Sequence, residues 1–196
     1  MKKVGIMGGT FDPIHLGHLI AAEEARSGAG LDEVWFMPSN VPPHKPNAPK
    51  ASPSERLDMV REAIEGHPMF RAIDIELTLG GTSYTSETMA VLRGLHPDIV
   101  FSYIIGADMV MYLPKWHQIG ELVRQIGFIG LQRPGYDLQP ELLPDSIRDK
   151  VTLVPMIPIE LSSTEIRERM RTGRAIRFLV PEPVRTYIER NGLYES

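Results

Sequence analysis

The chain has 196 residues and a formal charge of −4, with 21 lysines and arginines against 25 aspartates and glutamates. That balance disfavours a broad nucleic-acid footprint, so a phosphate site would have to be a local basic patch on an acidic body. The sequence contains no cysteine, which excludes disulfides, thiolate chemistry and Cys–zinc sites. No apolar run approaches the ~20 residues that span a bilayer, and the first residues lead straight into a strand pattern rather than a signal sequence. A cytoplasmic protein without a membrane partner is expected, as one domain over residues 1–196 that buries roughly 70% of its unfolded surface.

The first predicted element is an apolar strand over 3–7. It runs into Gly8-Gly9-Thr10-Phe11-Asp12-Pro13-Ile14-His15-Leu16-Gly17-His18 and a helix over 16–27. Glycines without Cβ let backbone N–H groups approach an anion, and a helix N-terminus adds partial positive charge. His15 and His18, three residues apart, fall on one side of the first helical turn. The stretch is neither G-x-G-x-x-G nor a P-loop. Its plain alternative is a tight strand-to-helix turn with two surface histidines.

A strand over 33–38 follows, then the proline-stiffened loop Val41-Pro42-Pro43-His44-Lys45-Pro46-Asn47-Ala48-Pro49-Lys50. His44 and Lys45 put two cationic-capable groups just past a strand end, although a solvated loop reads equally well. Next come a helix over 54–65, a strand over 72–76 and a helix over 85–95. The last is entered through Gly81-Thr82-Ser83-Tyr84-Thr85, where Ser83 or Thr85 would cap it. The apolar strand 99–105 delivers Gly106-Ala107-Asp108 and, further on, Trp116, a residue suited either to stacking on a planar ring or to core packing.

After a helix over 119–125 and a strand over 127–132, Arg133 stands at the strand end, before a second Pro-Gly loop. A strand over 151–154 precedes Leu161-Ser162-Ser163-Thr164-Glu165-Ile166-Arg167, which reads as a capped helix start over 163–171. Its hydroxyls, free N–H groups and the Arg167 fork could hold a phosphate. A final helix covers 183–191. Strands alternating with amphipathic helices predict an α/β fold with a doubly wound, mostly parallel sheet, helices on both faces and ligands beyond the strand carboxyl ends.

The first motif resembles the GTFDPxHxGH signature of the nucleotidyltransferase superfamily, and the downstream box resembles its ISSTxIR motif. Gly106-Ala107-Asp108 through Trp116 resembles the GADxxxxxxxW segment of bacterial nicotinate mononucleotide adenylyltransferases, and the likeness covers essentially the whole chain. One departure is Leu16, where the family commonly has an aromatic or polar residue.

The resemblance implies a Rossmann-like fold. It also implies transfer of AMP from ATP to nicotinate mononucleotide, giving deamido-NAD and pyrophosphate by in-line attack, in NAD biosynthesis. It assigns ATP to Gly8, Gly9, Thr10, Phe11, His15, His18, Gly106, Asp108, Arg133, Ser162, Ser163, Thr164 and Arg167. The mononucleotide is assigned to His44, Lys45, Ser83, Tyr84, Thr85 and Trp116, with His18, His15 and Lys45 as the catalytic groups. Mg2+ is expected to arrive mainly on ATP, because the sequence offers no dedicated carboxylate cage. Phosphates around the histidines would favour their protonated forms. A homo-oligomer stays open. The rivals are phosphopantetheine adenylyltransferase, a cytidylyltransferase and a catalytically silent nucleotide sensor on the same fold.

Overall fold

The structure is a computed structural model that describes residues 1–41, 48–132, 135 and 138–195. Among the described residues six strands form one sheet: β1 (Lys2–Gly9), β2 (Glu33–Pro38), β3 (Phe70–Ala72), β4 (Ile99–Gly106), β5 (Gly127–Gln132) and β6 (Val151–Pro155). Their order is β3-β2-β1-β4-β5-β6, with every pair parallel. Parallel neighbours need long crossovers, and here the crossovers carry helices to both faces of the sheet.

Side chains alternate across the sheet. Val34 and Phe36 point into one apolar layer, while Trp35 and Met37 point into the other. The first layer is closed by α1 (Leu16–Gly28), α2 (Pro53–Ile64), α8 (Ser163–Arg171) and α9 (Glu182–Asn191), through residues such as Ala22, Val60, Ile166 and Ile188. The second is closed by α4 (Thr85–Leu95) and α6 (Ile119–Gln125), through Met89, Leu92 and Leu122. Burying each large apolar side chain of this kind contributes about 1.5–3 kcal/mol.

Local chemistry explains several boundaries. Ser52 accepts from Glu55 N–H, Glu55 accepts from Ser52 N–H, and Pro53 opens α2, which is a complete capping box. Ser162 caps α8 by accepting from Glu165 N–H at 3.1 Å. The helix at 85–95 starts as expected, but neither Ser83 nor Thr85 caps it. Tyr84 holds the N-cap position and makes no side-chain cap.

Two predicted strands change. The segment expected as a strand over 72–76 splits into β3 and the short helix α3 (Ile75–Leu79), because only residues 70–72 find a partner on β2. The first strand does not end at Met7. It continues through Gly8 and Gly9, which pair with Met37 and Pro38. Three short helical turns, at Leu113–Lys115, Pro140–Leu142 and Asp145–Arg148 (α7), were not anticipated, nor was α5 (Ala107–Val110). Each is too short to show a periodic pattern.

One feature of the sheet creates the cleft. The β1–β4 ladder pairs residues 2–6 with 99–103 and then stops, although β1 continues along β2 to Gly9 and β4 continues along β5 to Gly106. The two central strands part at the point where the strand order reverses, as expected for a ligand crevice in such sheets. Among the described residues, no helix is long and apolar enough to cross a membrane.

Candidate active site

The crevice is about 1510 Å³, larger than the 300–1,000 Å³ of a usual small-molecule pocket. That gives room for more than one nucleotide. Its walls include Gly8, Gly9, Thr10, Phe11, His15 and His18 from the first motif. Ser162, Ser163, Thr164 and Arg167 come from the downstream box, Ser83, Tyr84 and Thr85 from the α4 entry, and Gly106 and Trp116 from the segment after β4. These expected site residues, drawn from four separate stretches, share one cleft. Asp108 stands apart: it is exposed, and its carboxylate folds back beside Gly106 instead of lining the wall. His44, Lys45 and Arg133 lie outside the described residues.

The glycines have a role that the motif alone does not reveal. A methyl group on Gly8 would stand 1.8 Å from the Tyr103 hydroxyl, and one on Gly9 would stand 3.0 Å from the Phe11 ring. Both positions are small because the protein's own side chains occupy that space. Phe11 takes a left-handed φ of 51°, is 2% exposed, and sets its ring edge-on to His18 at 5.0 Å. Packing holds a backbone conformation that is unfavourable for a bulky residue.

His15 and His18 stack with ring centroids 3.8 Å apart. The His15 N–H donates to His18 Nδ1 at 3.2 Å, so a neutral His18 carries its proton on Nε2. Burial lowers the His15 pKa to about 4, and among the described residues its Nδ1 is buried without a partner. In the ligand-free chain His15 is therefore neutral at pH 7, unlike the protonated form expected beside bound phosphates.

The downstream box is tied to the first motif. Ser163 Oγ donates to Pro13 O at 2.9 Å, and Arg167 Nη1 donates to Asp12 O at 2.8 Å. Arg167 also bonds Thr164 Oγ1 at 3.3 Å. One face of the Arg167 fork thus holds the turn in place.

Four supporting residues escaped the sequence reading. Asp12 is 5% exposed, and its carboxylate accepts from Lys50 N–H at 2.8 Å, Ala51 N–H at 3.0 Å and the Tyr194 hydroxyl at 2.8 Å. Arg56 is fully buried and donates to Thr10 O at 2.7 Å, with burial lowering its pKa. Its place in the buried stripe shared with Val60 and Ile64 was the available signal, since an arginine at i, i+4 spacing to apolar residues faces the core. Glu76 and Tyr103, both buried in the cleft wall, carried no such signal.

Trp116 is half-buried. It stands edge-on to Tyr103 at 5.8 Å and to Phe128 at 6.1 Å, and it lines the cleft. Packing against these two rings thus fixes it while it remains part of the cleft wall. Among the described residues no group of three or more His, Cys, Asp or Glu side chains could hold a metal ion.

A crevice at the strand-order reversal, with paired imidazoles and an arginine-bearing helix start on its wall, belongs to a nucleotide-handling α/β enzyme. The cytidylyltransferase-like family model matches residues 6–169, and the chain is a nucleotidyltransferase. The nicotinate-nucleotide adenylyltransferase of Bacillus subtilis is 45% identical to it over 199 aligned positions, covering 100% of both chains. The chain belongs to the nicotinate-nucleotide adenylyltransferase family. Two solved structures of a Plasmodium falciparum nicotinic acid mononucleotide adenylyltransferase share the fold. The one complexed with NaAD has a TM-score of 0.77 at 20% identity, and the one complexed with APC has 0.76 at 19%. Each alignment covers 100% of this chain and 98% of the other.

Proposed function

We propose that the protein transfers AMP from ATP to nicotinate mononucleotide, forming deamido-NAD and pyrophosphate as a step in NAD synthesis. The observation that carries this reading is the convergence of the His15–His18 pair and the Thr85–Trp116 pair on one cleft. One pair suits a triphosphate, and the other suits a planar ring bearing an acid group. The same reading takes residues 1–196 as one domain of a cytoplasmic enzyme.

In the proposed reaction a phosphate oxygen of the mononucleotide attacks the α-phosphorus of ATP. The bond from that phosphorus to the β-phosphate oxygen breaks, and pyrophosphate leaves with the electron pair. The nucleophile is already an anion, so no general base is required. The protein contributes positioning and stabilisation of charge on the α-phosphate and leaving group. His18 Nε2–H is the donor assigned to the α-phosphate. His15 stacks behind it and orients it through its backbone N–H. Ser162, Ser163, Thr164 and Arg167 border the remaining phosphates, with Gly106 on the adenosine side. His44, Lys45 and Arg133 keep the roles the resemblance implies, and Asp108 would have to turn from Gly106 to meet the adenosine. Magnesium would be held mainly by the ATP phosphates, where it would neutralise their charge.

The test is pyrophosphate release with ATP and magnesium, offering nicotinate mononucleotide, nicotinamide mononucleotide and phosphopantetheine separately. Release with nicotinate mononucleotide well above the others supports the reading. Release with phosphopantetheine alone overturns the assignments of Thr85 and Trp116, and no release with any of the three favours a silent nucleotide sensor.

A further inference from the structure

Beneath the ring side of the cleft lies a set of buried polar groups that the phosphate chemistry does not use. Glu76, on α3, is 4% exposed and lines the cleft. The Thr88 hydroxyl donates to its Oε1 at 3.0 Å, and Ser83 lies beside it. Ser83 Oγ accepts the Asn40 N–H at 2.9 Å, which ties this corner to the loop after β2. No lysine, arginine or histidine pairs with this carboxyl among the described residues. Burial raises its pKa.

Tyr103 occupies the fork where β1 and β4 part. It is 9% exposed; its hydroxyl lies beside Thr85, and its ring meets that of Trp116 in a T-shaped contact at 5.8 Å. The same hydroxyl fills the space above Gly8. One side chain therefore touches the phosphate strand, the hydroxyl assigned to the pyridine substituent and the ring assigned to stack on it.

We propose that Glu76 and Tyr103 are positioning residues for acid over amide recognition, fixing Ser83, Thr85 and Trp116 so that the pocket takes a pyridine carboxylate and rejects a carboxamide. This rests on the reading that Thr85 and Trp116 face the nicotinate ring. Burial opposes ionisation of Glu76, and its carboxyl serves as the acceptor that holds the Thr88 hydroxyl. Thr88 Oγ1 also contacts Tyr84 O at 3.2 Å, so the Glu76 contacts fix the entry to α4. Tyr84 at the N-cap makes no side-chain cap, leaving backbone N–H donors toward which a carboxylate presents only acceptors. An amide would direct its own N–H groups at donors, and an unpaired buried polar group is a strong basis for rejection.

Initial rates with nicotinate and nicotinamide mononucleotide, with KM for each and for ATP, are to be measured on the wild type, Glu76→Gln, Glu76→Ala and Tyr103→Phe, alongside thermal melts. Glu76→Gln, which keeps the side chain's shape and an oxygen for the Thr88 hydroxyl, is expected to keep the wild-type nicotinate-to-nicotinamide ratio of kcat/KM within about threefold. Glu76→Ala and Tyr103→Phe are expected to lower it about tenfold, through KM for nicotinate mononucleotide, with KM for ATP within about twofold. An unchanged ratio in both, equal changes in the two substrates' KM, or Glu76→Gln as damaging as Glu76→Ala overturns the assignment. A wild-type ratio near one also overturns it while the adenylyl-transfer reading stands. No turnover of either mononucleotide by the wild type overturns that reading and the assignment with it.

Discussion

The Tyr194 hydroxyl donates to the Asp12 carboxylate at 2.8 Å, across 182 positions of sequence. Tyr194 is 9% exposed at a left-handed φ of 66°, in the turn after α9. Burial raises its pKa, and the carboxylate beside it adds to that, so the hydroxyl stays a donor. The end of the chain thereby supports the turn that carries His15.

Tyr194→Phe leaves the ring packed and removes one of three donors from a buried carboxylate. A loss of about 1–2 kcal/mol in stability is expected, read as a lower urea midpoint, with KM for ATP raised more than KM for the mononucleotide. An unchanged midpoint would mean that water replaces the hydroxyl without loss.

His18→Ala is expected to keep the fold and lose at least ~10²-fold in turnover, about 2.7 kcal/mol of transition-state stabilisation. Circular dichroism and steady-state rates check the two halves separately. Near-normal turnover removes His18 from the mechanism.

Trp116→Ala is expected to weaken mononucleotide binding more than ATP binding, since the side chain is held by Tyr103 and Phe128 on the ring side of the cleft. Titration calorimetry with each ligand alone decides it. Equal losses would make Trp116 a packing residue.

Stability of the ligand-free protein carries a signature of His15. Its pKa is about 4 in the folded chain and ~6.5 unfolded. Between those values the unfolded chain binds a proton that the folded chain refuses. The contribution is therefore intact above ~6.5, falls as pH drops toward 4 and levels off below, a total of roughly 3 kcal/mol. Urea midpoints at pH 7 and pH 5 for the wild type and His15→Gln test this. The wild type is expected to lose more between the two pH values, and equal losses would contradict a neutral, buried imidazole.

Much of the architecture was legible in the chain itself. The helices over 85–95, 119–125 and 163–171 and the strands over 33–38 and 127–132 begin and end where the sequence pattern places them. Caps such as Ser162 act on their own neighbours, and apolar periodicity reports which residues turn inward. The two phosphate motifs were legible for the same reason, since each is a contiguous strand-turn-helix or helix-start unit.

The tertiary structure decided the rest. Gly8 and Gly9 looked like spacers for an anion, yet their size is also set by Tyr103 and Phe11. The crevice exists because β1 and β4 stop pairing after Ile6 and Tyr103, a property of two strands far apart in sequence. Asp12 reads locally as one residue of a motif. Its role as a hub depends on donors from Lys50, Ala51 and Tyr194, between 38 and 182 positions away. Arg56 and Glu76 are ordinary surface types until folding removes their water. A periodic pattern is written by near neighbours, whereas the state of a buried polar group is set by whichever partners the fold brings to it.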